Sequence, residues 1–154
     1  MHRSVLSCRD IPPQEVKMQP VPYLFFNGTC EDAFLFYASV FGNAPDFMRV
    51  KGSPMEEHLP PEAANAIMHA SLKIGSGQIY GSDDLDPAPG AAMAGCNVMV
   101  ELPDADTARQ HFDALSTGGE VRMPFEAHFW TPGFGAFTDR FGIRWMIGTE
   151  EGAP

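Results

Sequence analysis

Residues 96–104 read Cys-Asn-Val-Met-Val-Glu-Leu-Pro-Asp, a short alternating strand that runs directly into the start of a helix. Val98, Val100 and Leu102 fall on one face, and Asn97, Met99 and Glu101 on the other, the period of a half-buried strand. Pro103-Asp104 opens a helix through Leu115, with Ala108, His111, Phe112 and Leu115 as its buried stripe, and Gly118-Gly119 closes it. A short strand near Val121 and a Pro-bounded loop, Pro124 to Pro132, are expected next. A hairpin of Phe134–Asp139 and Ile143–Gly148 then turns through Arg140-Phe141-Gly142.

The same order occurs once earlier in the chain. Val21-Pro22-Tyr23-Leu24-Phe25-Phe26 is aromatic-rich and strand-prone, and Asn27-Gly28 ends it. Thr29 is placed to cap a helix with Glu31 and Asp32 in its first turn, which runs to Phe41 and stops at Gly42. A strand near Phe47–Val50 precedes a loop broken by Pro54, Pro60 and Pro61. Ile67–Ile74 alternates, with Met68, Ala70, Leu72 and Ile74 facing the helix and His69, Ser71 and Lys73 facing away. Gly75-Ser76-Gly77 turns that strand back into Gln78–Ser82. Element order β-α-β-β-β, read twice, predicts an α+β fold: two βαβββ modules forming a curved mixed sheet with a central cup. The expected divisions are an N-terminal extension (1–18) and one domain (19–148), the latter split into module one (19–83), a linker (84–94) and module two (95–148). A tail (149–154) follows.

Composition narrows the function. At 154 residues, with 44% hydrophobic and 19% charged residues, the chain can bury a sizeable core. A formal net charge of −10 argues against a nucleic-acid partner, which needs a basic face. Cys8, Cys30 and Cys96 are far apart and odd in number, which fits a reducing cytoplasm better than a disulfide framework. No run approaches the roughly 18 apolar residues of a membrane span, and charge interrupts residues 1–10 too early for a signal peptide. A cytoplasmic protein without membrane or nucleic-acid partners is expected.

Three stretches together resemble the PhnB-like branch of the vicinal oxygen chelate superfamily, across about residues 19–148. They are Val21–Gly28 with the helix ending Val40-Phe41-Gly42; Ile67–Gly75 with Gly81-Ser82-Asp83-Asp84; and Phe129-Trp130, Phe134-Gly135 and Thr138–Ile147. The resemblance implies the glyoxalase, bleomycin-resistance and extradiol-dioxygenase fold, usually as a homodimer. Some relatives are labelled demethylubiquinone methyltransferases, but no Gly-rich strand-to-helix turn for a nucleotide-like cofactor is visible here.

Metal-dependent members of that superfamily carry His or Glu at four inward-facing positions. Matched onto this chain, those positions fall at Pro22, Gly81, Asn97 and Met146, and a one-residue slip gives Tyr23, Tyr80, Cys96 and Trp145. Neither set suits a transition metal, so no metal at these positions and no cofactor are expected, with a divalent metal at an atypical site left open. Glu101 is the best carboxylate, a general base or a holder of a cationic ligand if enclosed among Met and Phe side chains. His69 is its possible catalytic companion on the cup side of its strand. Phe26, Asn97, Met99, His128, Phe129, Trp130 and Met146 are the expected ligand-binding residues, with His128 in a loop over the mouth. Asp139 and Arg140 are expected in turn salt bridges.

The leading expectation is therefore a protein binding a small, partly apolar molecule in its cup. A divalent-metal-dependent lyase or dioxygenase is the competing one, requiring His69, Glu101 and His128 to converge. A dimeric domain whose cup is filled by side chains is the third.

Overall fold

The computed structural model describes residues 18–86 and 90–150. Module one contains β1 (Tyr23–Phe26), α1 (Cys30–Phe41), β2 (Asp46–Arg49), β3 (Ile67–Ile74) and β4 (Gly77–Asp83). Module two repeats the order with β5 (Val98–Leu102), α2 (Ala105–Ser116), β6 (Glu120–His128), β7 (Thr131–Thr138) and β8 (Arg144–Thr149). Each module builds a four-stranded mixed sheet, β1-β4-β3-β2 (sheet A) and β5-β8-β7-β6 (sheet B). In both, the first strand runs parallel to the last and the other pairs are antiparallel. The two-module α+β architecture expected from the repeat is thus present.

The alternation of residue types decides which face each helix covers. In sheet A, Leu24, Phe26, Ala70, Leu72 and Ile79 are buried beneath α1, while Tyr23, Phe25 and Met48 on the opposite face are exposed. In sheet B, Val98, Phe137, Trp145 and Ile147 are buried beneath α2, and Met99 lies on the open face. Each large apolar side chain so enclosed stabilises the fold by about 1.5–3 kcal/mol. A phenylalanine of each helix lies over a strand glycine: a Cβ at Gly81 would sit 2.6 Å from Phe34, and one at Gly135 would sit 2.6 Å from Phe112. Side-chain-free backbone is what lets helix and sheet approach this closely.

Three local expectations are corrected. The stretch 124–132 is a hairpin, not a loop: β6 runs through Pro124 to His128 and turns at Phe129-Trp130 into β7. β6 is an edge strand whose register shifts at three places, the setting that accommodates a proline. Thr29 makes no side-chain cap on α1; instead Asp83, at the end of β4, accepts from the Cys30 and Ile67 amides at 2.9 and 2.8 Å. Asp104 does cap α2, accepting from the Thr107 amide at 2.7 Å.

Asp139 is the third correction. It forms no turn salt bridge but is buried, accepting from the Phe141 and Ile143 amides, from Trp145 Nε1 at 2.9 Å, and from the Tyr37 hydroxyl at 2.5 Å. Tyr37 belongs to α1, so this carboxylate ties module one to module two. Burial, and then the neighbouring Asp139 charge, push the Tyr37 hydroxyl well above its ordinary pKa, so it stays protonated and donating. Tyr37 and Phe41 pack on Trp145, and Arg140 lies over the Phe36 and Phe141 rings. Residues 1–17, 87–89 and 151–154, which include most of the expected extension and tail, lie outside the described residues.

Candidate functional site

The open faces of the two sheets carry most of the chemistry. On sheet A, β1 and β4 pair Tyr23 with Tyr80, and β3 places His69 beside them. The Tyr23 hydroxyl and His69 Nδ1 are 3.2 Å apart, and the His69 ring meets Tyr80 edge-on at 4.9 Å. With Phe25 at 5.3 Å from Tyr23, these rings form an aromatic cluster on the open face. Phe26 is not part of it: it is buried beneath α1 against Phe34.

On sheet B, β5 and β8 pair Met99 with Met146 and Glu101 with Gly148. Gly148 leaves room there, since a Cβ at that position would meet Met99 Cε at 3.1 Å and Phe134 Cδ2 at 3.5 Å. Glu101 is exposed rather than enclosed among apolar side chains. At the far end of the face the His128 ring stacks on Trp130 at 5.7 Å, and Trp130 meets Phe134 at 5.0 Å. His128 is therefore the last residue of β6, not a loop residue, and its Nε2 is buried without a hydrogen-bond partner among the described residues. Phe129, at the hairpin tip, is 99% exposed. Asn97 immediately precedes β5 and accepts a hydrogen bond from Arg122.

Two clefts border these faces. One of about 750 Å³ runs along the free edge of β5, lined by Met99, Glu101 and His111 together with Pro22, the β3–β4 turn and Glu150. A smaller one of about 270 Å³ lies between Phe25 and Asn27 of module one and Phe141 and Ile143 of module two, closed by Asp84 and Met93.

The structure does not assemble His69, Glu101 and His128. His69 lies on sheet A and the other two on sheet B, and among the described residues no three His, Cys, Asp or Glu side chains lie together as a metal site needs. The matched ligand positions divide unexpectedly. In module two Asn97 precedes β5 and Met146 lies on the open face, whereas in module one the slipped pair, Tyr23 and Tyr80, is on that face and Gly81 points into α1. Tyr, Tyr, Asn and Met do not form the imidazole and carboxylate set a divalent transition metal takes.

Arg122 and Arg144 carry no sequence expectation, and Tyr23 and Tyr80 enter the sequence reading only as slipped ligand positions. For three of them the period-2 pattern held the signal. Tyr80 lies between buried Ile79 and helix-facing Gly81, Tyr23 precedes buried Leu24, and Arg144 precedes buried Trp145. Cys30 is a core residue whose thiol is pushed up to about 12, chiefly by burial and then by the Asp83 and Glu31 charges, so it is inert. Cys96 is exposed.

Comparison with known proteins places the whole arrangement. The chain is 30% identical over 143 residues to protein YjdN of Escherichia coli K12, covering 86% of this chain and 96% of that protein. Protein PA1353 of Pseudomonas aeruginosa superposes with a TM-score of 0.79 at 37% identity, covering 86% of this chain and 98% of that one. The PhnB protein of Bacillus cereus shares the fold, with a TM-score of 0.70 at 17% identity and coverage of 86% and 99%. Residues 20–147 match the model of the glyoxalase/bleomycin resistance protein/dioxygenase superfamily, and the chain belongs to that superfamily.

Proposed function

We propose that this protein binds a small, partly apolar molecule where the free edge of β5 meets the open face of sheet B, at Met99 and Glu101, without the divalent metal common in its superfamily. The observation that carries the reading is the cleft of about 750 Å³ beside Met99 and Glu101, within the ~300–1,000 Å³ range of small-molecule sites. Apolar surface and a few polar groups converge there, as a ligand site requires.

The protein works as a homodimer in the cytoplasm. Tyr23, Phe25 and Met48 on sheet A, Met99 and Met123 on sheet B, and Trp130 in the β6–β7 turn are large apolar side chains left exposed by the single chain. A second copy is the occupant that would cover them and deepen the open faces into a cup. No helix among the described residues is long and apolar enough to cross a membrane.

The test is a thermal-shift screen of small organic molecules and divalent ions, with metal content measured on untagged protein and mass by light scattering. Stabilisation by an organic molecule, weakened in Glu101→Gln by about tenfold or roughly 1.4 kcal/mol, supports the reading. Near-stoichiometric metal with specific stabilisation by that ion would overturn it in favour of a metal-dependent enzyme. A monomeric mass at micromolar concentration would remove the dimer.

A further inference from the structure

Arg144 begins β8, one residue before buried Trp145 and two before Met146, so its side chain leaves the sheet on the open face. Its Nε is buried and has no hydrogen-bond partner among the described residues. Arg122, from the irregular stretch of β6, lies close by. Its guanidinium donates to the Asn97 side-chain oxygen at 2.7 Å and to the Phe137 carbonyl at 3.1 Å. Burial, and then the like charge of Arg144, hold the Arg122 guanidinium below its usual range, while Glu120 acts in the opposite direction without bonding to it.

The other described arginines are all engaged. Arg49 pairs with Glu31, Arg109 donates to the Phe125 carbonyl and lies over that ring, and Arg140 lies over Phe36 and Phe141. Asp and Glu outnumber Lys and Arg by 20 to 10, so carboxylates are plentiful in this chain. Yet none forms an ion pair with Arg122 or Arg144 among the described residues, where the ion pair present is Arg49–Glu31. Two like charges near Asn97 repel, and a desolvated Nε–H without an acceptor costs free energy. An anion placed between them relieves both penalties.

We propose that Arg122 and Arg144 form an oxyanion site, which takes the carboxylate or phosphate group of a small amphiphilic molecule. Guanidinium groups suit this task because their planar N–H donors match the paired oxygens of either group. Asn97 acts as a positioning residue by holding Arg122 across the face. Arg144 and Gly148 are separated by about 13 Å of strand, at ~3.3 Å per residue, and Gly148 adjoins the Phe134–Trp130 cluster. An anionic head at the arginines therefore leaves an apolar body lying over Met146 and Met99 toward Trp130. The proposal rests on the reading of this face as the ligand surface and adds the class of ligand.

Titration of the full chain, followed by the arginine Nε–Hε resonances, tests it. Acetate and inorganic phosphate probe the arginines alone, while benzoate against benzyl alcohol adds the apolar half with and without the charge. A saturable shift of the Arg144 resonance with acetate or phosphate is expected, and the better of the two identifies the head group. Benzoate should bind at least about tenfold more weakly to Arg144→Gln, or roughly 1.4 kcal/mol, at unchanged melting temperature. Arg144→Lys, which keeps the charge but loses the planar fork, should retain part of the affinity and serves if Arg144→Gln does not fold. No saturable shift with either small anion, or equal shifts at Arg49 and Arg140, would overturn the oxyanion site. So would an Arg144 resonance that responds only to protein concentration, because a carboxylate of a second copy would then fill it. Benzyl alcohol binding as tightly as benzoate would remove the anion requirement while leaving the ligand face. A response to acetate with no gain from benzoate would instead keep the arginines and remove the apolar reading.

Discussion

The uncovered face of sheet A is largely self-satisfied at its centre, with Tyr23 meeting His69 through a hydrogen bond and Tyr80 packing on the same imidazole. The uncovered face of sheet B bonds Arg122 to Asn97 but leaves other polar groups unspent: Arg144 Nε and His128 Nε2 have no partner among the described residues, and Glu101 is exposed. Yet the helix-covered sides are alike, down to Phe34 over Gly81 and Phe112 over Gly135. Packing constrains the covered side of both modules, because a close-packed core tolerates few shapes. The open sides are free of that constraint, and it is there that the two halves have diverged. Their buried acids differ in the same sense. Asp83 serves module one alone, whereas Asp139 joins the two modules through Tyr37.

Asp139→Ala has the largest expected effect on that division. It strands the Trp145 and Tyr37 donors and two amides, and should lower unfolding free energy in urea by about 3–5 kcal/mol. A loss smaller than that of Asp83→Ala would show that the module boundary contributes little. Asp83→Ala itself should cost about 2 kcal/mol, by uncapping α1 and freeing the Ile67 amide. Hydrogen exchange should quicken at Cys30 and Ile67 while the α2 amides stay protected; uniform acceleration would mean the modules do not open separately.

The smallest effect separates the two helix caps by pH. The Thr107 amide, and then its hydroxyl, hold the Asp104 carboxyl below its ordinary range. A depressed folded pKa means that the cap's contribution is present above the ordinary carboxylate range and is lost as pH falls through the lowered value. The stability difference between the native chain and Asp104→Ala should therefore shrink in acid. Thr29→Ala should show little difference at any pH, since Thr29 makes no cap bond. A pH-dependent penalty at Thr29 would contradict the assignment of α1's cap to Asp83.

The repeat was legible because its signals are local. Ile67–Ile74 and residues 96–102 alternate cleanly, and Ala70, Leu72 and Val98 are buried as that alternation requires. β6 was hidden by Pro124, which reads as a breaker unless the strand is known to be an edge. Asp139 reads as an ordinary turn residue because its defining partner, Tyr37, is 102 positions away. The open face of sheet B was half legible. Asn97, Met99 and Glu101 follow from period two, and Met146 lies on that face as its alignment implied. Arg122 was obscured because it sits at a register shift, where the side-chain period fails. That Arg144 lacks a partner is a tertiary property, carried by no local pattern.

The placement of the two tryptophans gives the molecule a pair of optical reporters. Trp145 is fully buried, and its indole nitrogen donates to the carboxylate that also binds α1, so its emission will follow separation of the modules. Trp130 is 38% exposed beside the open face of sheet B, so its emission will follow whatever settles there. Replacing either one with phenylalanine isolates the other signal, and occupancy of the face and integrity of the fold become separable in a single cuvette.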